Sequence, residues 1–304
     1  LSAQANGIVL DVLRRHDARD IVKGKSMVSE EMHLNRFLEE NSIEAVETDL
    51  GEFIIQLNHE THSHIIVPAI HKNKDEVATI FNEKIPDTPY TENVEELTAI
   101  ARRVLRKRFA AAKVGLSGVN FAIAETGTLL LVENEGNGRM VTSLPPVHIA
   151  LIGIERLVPD LDGLATILTV LPRSATGQIA TVYTQLISKP RQEGEIDGAP
   201  ERHLVLIDNG RTSLRQTPLA EALNCIRCGA CINACPIFRE IGGFSYTSKQ
   251  GDYTPYPGPI GSVLSPGLFG LADFGHLAQA CNRLQQRFPA TPDRRGGSAG
   301  IQRQ

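Results

Sequence analysis

No run of apolar residues in this chain approaches the ~20 needed to cross a bilayer as a helix, so nothing in it reads as a transmembrane segment. Charge of one sign is also missing. With 31 basic and 35 acidic residues the formal net charge is −4, and no basic footprint points to nucleic acid as a partner. No basic segment followed by an apolar one opens the sequence. The first residue is Leu1 rather than Met, which leaves the native start, and export with it, open. There is no short-period repeat. Neither a G-x-G-x-x-G nor a P-loop pattern occurs, so hydride chemistry on a bound nicotinamide or flavin is not signalled. Cysteine is scarce, but unevenly so: four of the five lie between positions 225 and 235. A disulfide framework would be spread through the chain. Clustering in an otherwise cysteine-poor sequence indicates a metal site in a reducing compartment, and the reading is cytoplasmic. What is present is ordinary globular material, 41% hydrophobic and 22% charged over 304 residues, enough for one large domain and a small one.

Over the first ~215 positions helical periodicities alternate with short apolar runs, the pattern of an α/β domain. Helices are expected at 8–15, 30–40 (capped by Ser29), 71–81, 93–113 and 161–171, the last ended by Pro172. Strands are expected at 21–22, 45–46, 64–67, 119–124, 128–132, 148–154, 182–187 and 203–207. Glu125-Thr126-Gly127 reads as a turn, 133–138 as a polar loop and 189–200 as an exposed loop. Composition changes near Asp208-Asn209-Gly210. A short helix at 219–223 leads into the cysteines, and from Gly242 onward the chain is rich in Gly, Pro, Ser and Tyr with little periodicity.

Residues 225–236 read C-x2-C-x2-C-x3-C-P, the bacterial ferredoxin run. Three thiolates at two-residue gaps let one loop wrap three corners of a cubane. Gly229 permits an unusual backbone angle there, and Pro236 turns the chain away after the last ligand. Thiolate is a soft donor suited to iron–sulfur clusters, whereas structural zinc usually uses two well-separated C-x2-C knuckles. The expected ligands are Cys225, Cys228, Cys231 and Cys235. In two-cluster domains the fourth cysteine of such a run serves the other cluster. Both clusters would then need ligands downstream, where the sequence offers Cys281.

Several stretches together carry a resemblance: Lys23-Gly24-Lys25-Ser26-Met27-Val28-Ser29-Glu30-Glu31, Glu47-Thr48-Asp49-Leu50-Gly51-Glu52, Pro68-Ala69-Ile70-His71-Lys72, the run from Gly118 to Thr128, Val132 to Asn137, Leu206 to Arg211, the cysteine run, and Gly258-Pro259-Ile260-Gly261. From about Gly7 to about Pro289 the chain resembles the LutB family, LUD-domain iron–sulfur proteins of bacterial L-lactate utilisation. The resemblance implies an α/β LUD domain of the sugar-phosphate isomerase and CoA-transferase-like type over 1–215. After it would come a small α-helical, ferredoxin-like iron–sulfur domain over 216–289. It implies a [4Fe–4S] cluster, two in an intact family member, carrying electrons while lactate is oxidised to pyruvate. The implied partners are other Lut-type subunits, a second iron–sulfur subunit and a second LUD protein.

The chain departs from the family at its end. A second motif resembling C-x2-C-x3-C-P is expected from position 281, but only Cys281 and Pro289 hold their places; Leu284 and Phe288 stand where cysteines would be. From Arg283 on there are five arginines against one acid. Residues 290–304 read as a disordered or aberrant tail. Two explanations are a shifted reading frame after Asn282 and a genuine loss of the second ligand set. The abrupt loss of both pattern and composition favours a frame error or truncation.

A polar group in the first domain, Lys25, Glu125, Thr126, Thr128, Glu133, Asn134 and Glu135, flanks strand ends and turns, where α/β sheets place their sites. Glu125 and Glu133 can exchange protons, and Lys25 can pair with a carboxylate or phosphate. The plainer reading is that they satisfy tight turns, and the two stand even. His59, His62 and His64 lie close together, but a solvated loop entering a strand accounts for them better than a metal does. The basic residues Arg102, Arg103, Arg106 and Lys107 read as a solvated helix face. The leading reading is an electron-transfer subunit. Its rivals are a LUD domain that itself binds or transforms a small acid through Lys25, Glu125 and Glu133, and a non-redox scaffold left by loss of cluster ligands.

Overall fold

The structure is a computed structural model that describes residues 2–280. Cys281, the degenerate second motif and the tail lie outside the described residues. The strands are β1 (Asp20–Lys23), β2 (Glu44–Glu47), β3 (Val114–Gly118), β4 (Phe121–Ile123), β5 (Leu129–Glu133), β6 (Val147–Gly153), β7 (Leu157–Val158), β8 (Tyr183–Ile187) and β9 (Glu201–Ile207). They form a five-stranded sheet of order β2-β1-β3-β6-β9 and a four-stranded sheet of order β7-β4-β5-β8. Every pair in the first sheet is parallel, with Val22 opposite Gly115 and Ile149 opposite Leu116 and His203. In the second, β5 runs antiparallel to β4 and β8. This is the mixed α/β architecture expected from the alternating pattern.

Side-chain alternation along the strands sorts the core into layers. Val147, Ile149 and Leu151 of β6, with Val114 and Leu116 of β3, face helices Ser2–Arg15 and Leu34–Glu40. The opposite faces of β1 and β2, through Val22 and Val46, meet helices Leu50–Leu57, Lys74–Lys84 and Val94–Ala111. Ala150 and Ile152, on the other side of β6, pack on Ala122, Leu129 and Leu131 of the second sheet. The far face of that sheet carries helix Leu161–Thr176, Ile226 and Cys228. Beyond β9 come short helices and one longer one, Gly258–Phe269. They gather around Ile232, Tyr256 and Leu264 and share that core with Met27, Ile65 and Ile66 from the first part of the chain.

Several local expectations are corrected. Ser26, not Ser29, caps the second helix, its side chain accepting the Ser29 N–H; that helix covers only Met27–Glu31 before His33, at φ +49°, breaks the chain. The 64–67 run is a bend rather than a strand, because the His64 Nδ1 accepts the N–H groups of Ile66 and Val67. The next helix starts at Lys74, where Asn73 and Glu76 form a capping box. Pro172 sits inside helix Leu161–Thr176 rather than ending it; the helix stops one turn later at Gly177, φ +77°. Proline this near a C-terminus removes only one late hydrogen bond. Strand β3 was unexpected. Its Gly115 leaves room for helix Asn137–Ser143, since a Cβ there would lie 2.0 Å from the Val141 carbonyl oxygen. The basic face of Val94–Ala111 is exposed at Arg102, Arg103, Arg106 and Lys107, as expected.

Candidate functional site

The C-terminal ends of β1 and β3 deliver Gly24-Lys25-Ser26 and Gly118-Val119-Asn120 to one side of the parallel sheet. The end of β5 delivers Glu133-Asn134-Glu135 opposite them. Together with Asp49, Leu171 and Thr176 they enclose a cavity of ≈ 500 Å3. Carboxyl ends of parallel strands are where such sheets bind ligands. Close packing shapes the floor: a Cβ on Gly118 would lie 2.7 Å from that of Ser26.

Charge is concentrated around Lys23 and Lys25, where β1 ends. Lys23 is 1% exposed and donates to Glu47 at 2.5 Å and Glu30 at 3.1 Å. Burial pulls its pKa down, but the two carboxylates more than reverse that. Lys25 is different. Its Nζ is buried without a hydrogen-bond partner, and the nearest carboxylate oxygen, on Glu52, is 3.7 Å away. Burial, with repulsion from Glu47 and Glu30, pushes Glu52 up to about 8. Glu133 accepts the N–H groups of Gly138 at 2.7 Å and Arg139 at 2.6 Å and the Gln185 amide at 2.8 Å. It thereby caps helix Asn137–Ser143, and burial raises its pKa. Glu135 accepts the Leu50 N–H at 3.1 Å and is pushed up to about 7 by burial and then by Asp49. Asn134 pairs with Gln178 and the Val182 N–H. The structure therefore brings Lys25, Glu133, Asn134 and Glu135 together. Glu125 and Thr126 lie exposed in the turn at the other end of β5, outside the cavity lining, and the Thr126 and Thr128 hydroxyls bond to each other.

The cysteine loop forms a further wall of the same cavity, through Ile226 and Arg227. Cys225, Cys228, Cys231 and Cys235 are free and half-buried. Arg227 at φ +59° and Gly229 at φ +76° coil the chain between them, and a Cβ on Gly229 would lie 2.9 Å from Ile66. Backbone N–H groups point at sulfur: Arg227 to Cys225 and Phe238 to Cys235, each at 3.4 Å, and Ile260 to Cys231. Burial raises the Cys231 thiol, and the adjacent Cys225 and Cys228 sulfurs raise it further. Cys235 caps helix Pro236–Ile241, in which Pro236 takes the first position, so this proline begins a helix.

Four polar residues that sequence reasoning did not single out tie the loop to the sheet. The Arg227 guanidinium lies 4.4 Å over the Tyr256 ring, its Nη2 is 3.4 Å from Glu155, and its Nη1 is buried with no hydrogen-bond partner. Arg211 grips Glu31 with two bonds of 2.9 and 2.7 Å and donates to Glu155. Tyr256 donates its hydroxyl to Glu31. These partners stand up to 225 positions apart, so no local pattern could have announced them. The histidines are also corrected. His62 and His64 are buried, bonded to the Pro255 carbonyl and the Asn233 side chain respectively, and burial pushes His62 down to about 4.

The LUD domain family matches residues 2–207. The chain belongs to the LUD domain family. The match ends with β9, so the cysteine loop packs against the LUD region from outside it. Over 278 residues the chain is 47% identical to "Lactate utilization protein B" of Bacillus subtilis (strain 168). Over 282 residues it is 44% identical to "Uncharacterized electron transport protein YkgF" of Escherichia coli (strain K12). Each alignment covers 91% of this chain and 57% of the relative, so the chain spans a little over half the length of the curated relatives it matches. A DUF162 family protein from Deinococcus radiodurans of known structure aligns with a TM-score of 0.27 and 15% identity, over 68% of this chain and 98% of that one. Among the described residues no helix is long and apolar enough to cross a membrane.

Proposed function

We propose that this LUD protein is an iron–sulfur electron carrier of a multi-subunit lactate-oxidising system, working in the reducing environment of the cytoplasm. The observation that carries the reading is the 225–235 loop: four free thiols, three of them electrostatically adjacent, with backbone N–H groups directed at their sulfurs. This donor set fits a [4Fe–4S] cluster. Soft thiolates suit iron–sulfur centres, and N–H donors to sulfur are a recognised means of tuning them. Cys225, Cys228, Cys231 and Cys235 would hold it, and Cys281 is the candidate for a further ligand. Such a group supplies reversible one-electron transfer. The chain's own residues do the rest. The two left-handed residues, Arg227 and Gly229, coil the loop between the thiols. The buried Arg227 cation offsets thiolate charge, and the Arg211–Glu31–Tyr256 web fixes the loop against the sheet. The relatives' names, one for lactate utilisation and one for electron transport, support the same role.

Anaerobic reconstitution of the full chain with iron and sulfide tests this. About four irons and four sulfides per chain are expected for one such cluster, with loss of both in Cys225→Ser, Cys228→Ser and Cys231→Ser. Full-length protein that retains no iron overturns the reading for this chain.

A further inference from the structure

Lys25 and Arg227 come from different parts of the chain, 202 positions apart, yet both line the ≈ 500 Å3 cavity. Both also present a buried cationic nitrogen with no hydrogen-bond partner, the lysine Nζ and the arginine Nη1. A buried donor left without a hydrogen bond is destabilising, and more so when it is charged. Lys25 has the Glu52 carboxylate only at 3.7 Å, and Arg227 meets Glu155 and Tyr256 while its Nη1 stays unbonded, so each keeps donor capacity that a ligand in the cavity can take. We propose that the cavity binds a small organic carboxylate whose headgroup is held jointly by Lys25 of the LUD sheet and Arg227 of the cysteine loop.

The remaining lining argues for a monoanion with a carbon body. Asp49, Glu133 and Glu135 face the same space and oppose a ligand of higher negative charge such as phosphate. The Glu133 oxygens are already spent on Gly138, Arg139 and Gln185, so it serves as structure rather than as a ligand contact. Ile66, Leu131 and Ile226 give the cavity apolar walls. Such a mixture of apolar surface with a few polar groups is typical of small-molecule sites of this volume. The Lys25 Nζ makes no hydrogen bond within the chain, and the nearest carboxylate oxygen, on Glu52, stands 3.7 Å away. A carboxylate so held would lie beside the loop that carries the thiols, which joins acid binding to the redox region within one chain.

Titration calorimetry of the full-length chain at low ionic strength, with L-lactate, hexanoate and inorganic phosphate as probes, decides this. Saturable binding of at least one carboxylate, tighter than phosphate, is expected. Lys25→Met and Arg227→Lys should each weaken it by about tenfold or more, while Lys25→Arg, which keeps the charge, should retain it. Circular dichroism and melting curves confirm that each variant is folded, and Lys25→Met strands no ionised partner because Glu52 can hold its proton. Absence of saturable carboxylate binding by the wild type overturns the proposal. So does tighter binding of phosphate, or carboxylate binding that either folded variant leaves unweakened. The heat of binding is read independently of iron content, so this proposal and the electron-carrier reading fail separately.

Discussion

Replacing Arg211 with methionine removes the hub of the buried web and leaves most of its volume filled. In the wild type the Arg211 and Glu31 side chains are 1% and 0% exposed and share two hydrogen bonds, with Glu155, 4% exposed, on the guanidinium's other side. The substitution strands two buried carboxylates, leaving Tyr256 and Asn209 on Glu31 and Arg156 and Arg227 beside Glu155. Breaking a buried ion pair from one side costs about 3–5 kcal/mol. With an unfolding entropy near 2.1 cal/mol/K per residue, a unit of this size loses about 5–9 °C in melting midpoint. Calorimetric melts of wild type and variant at one scan rate measure it, with Arg36→Met as the control. The Arg36–Glu40 pair is 81% and 59% exposed and its loss should leave the midpoint unchanged, since exposed pairs contribute little. The pH dependence has a definite sign. Burial raises the Glu155 pKa, but Arg211 and its other arginine neighbours hold it below the usual 4.5. That stabilisation is present above the unfolded value and is lost as pH falls through the folded one. The gap between wild type and Arg211→Met should therefore narrow below about pH 4.5. An Arg211→Met midpoint within 1–2 °C of wild type at neutral pH would refute the web as the tie between loop and sheet.

Gly229→Ala must accept φ +76° and a Cβ 2.9 Å from Ile66, a strain of about 1–2 kcal/mol for the backbone alone. Reduced iron uptake with a modestly lower midpoint is expected, and full uptake would count against the loop geometry. Burial holds His62 and His148 neutral down to about 4. The unfolded chain takes up protons from about 6.5, so stability should fall as pH drops from about 6.5 to 4, by on the order of 3 kcal/mol for each histidine. His62→Gln should flatten that slope in urea titrations across the range, and an unaltered slope would contradict the burial argument. Asn93→Ala removes the cap whose side chain accepts the Glu95 and Glu96 N–H groups and should destabilise by about 1 kcal/mol, measurable as a shifted urea midpoint.

What could be foreseen follows from how local the cause is. The apolar run of β6, the β4–β5 turn and the capped helix Val94–Ala111 are set by neighbours in sequence, and all three lie close to where the pattern places them. Strand β3 escaped notice because Gly115, Ser117 and Gly118 dilute its apolar signal; it is selected by helix Asn137–Ser143 lying against Gly115. Helix Gly258–Phe269 carries three glycines and two prolines. It shows no amphipathic period because much of its surface is buried, Gly261 against Tyr256 and Gly267 against Leu214. In the site, the cysteine spacing and the candidates Lys25, Glu125 and Glu133 were readable from residue type and turn context, but which of them share a cavity was not: Lys25 and Glu133 line it and Glu125 does not. The roles of Arg227, Arg211, Glu155 and Tyr256 were not, since each depends on a partner brought in by the tertiary fold.

Electron paramagnetic resonance of anaerobically reconstituted protein, before and after chemical reduction, bears most directly on the loop as an electron carrier. A signal that appears on one-electron reduction, reverses on reoxidation and vanishes in Cys228→Ser is the expected result. A colourless protein, silent in both states despite a folded 225–235 loop, would contradict it.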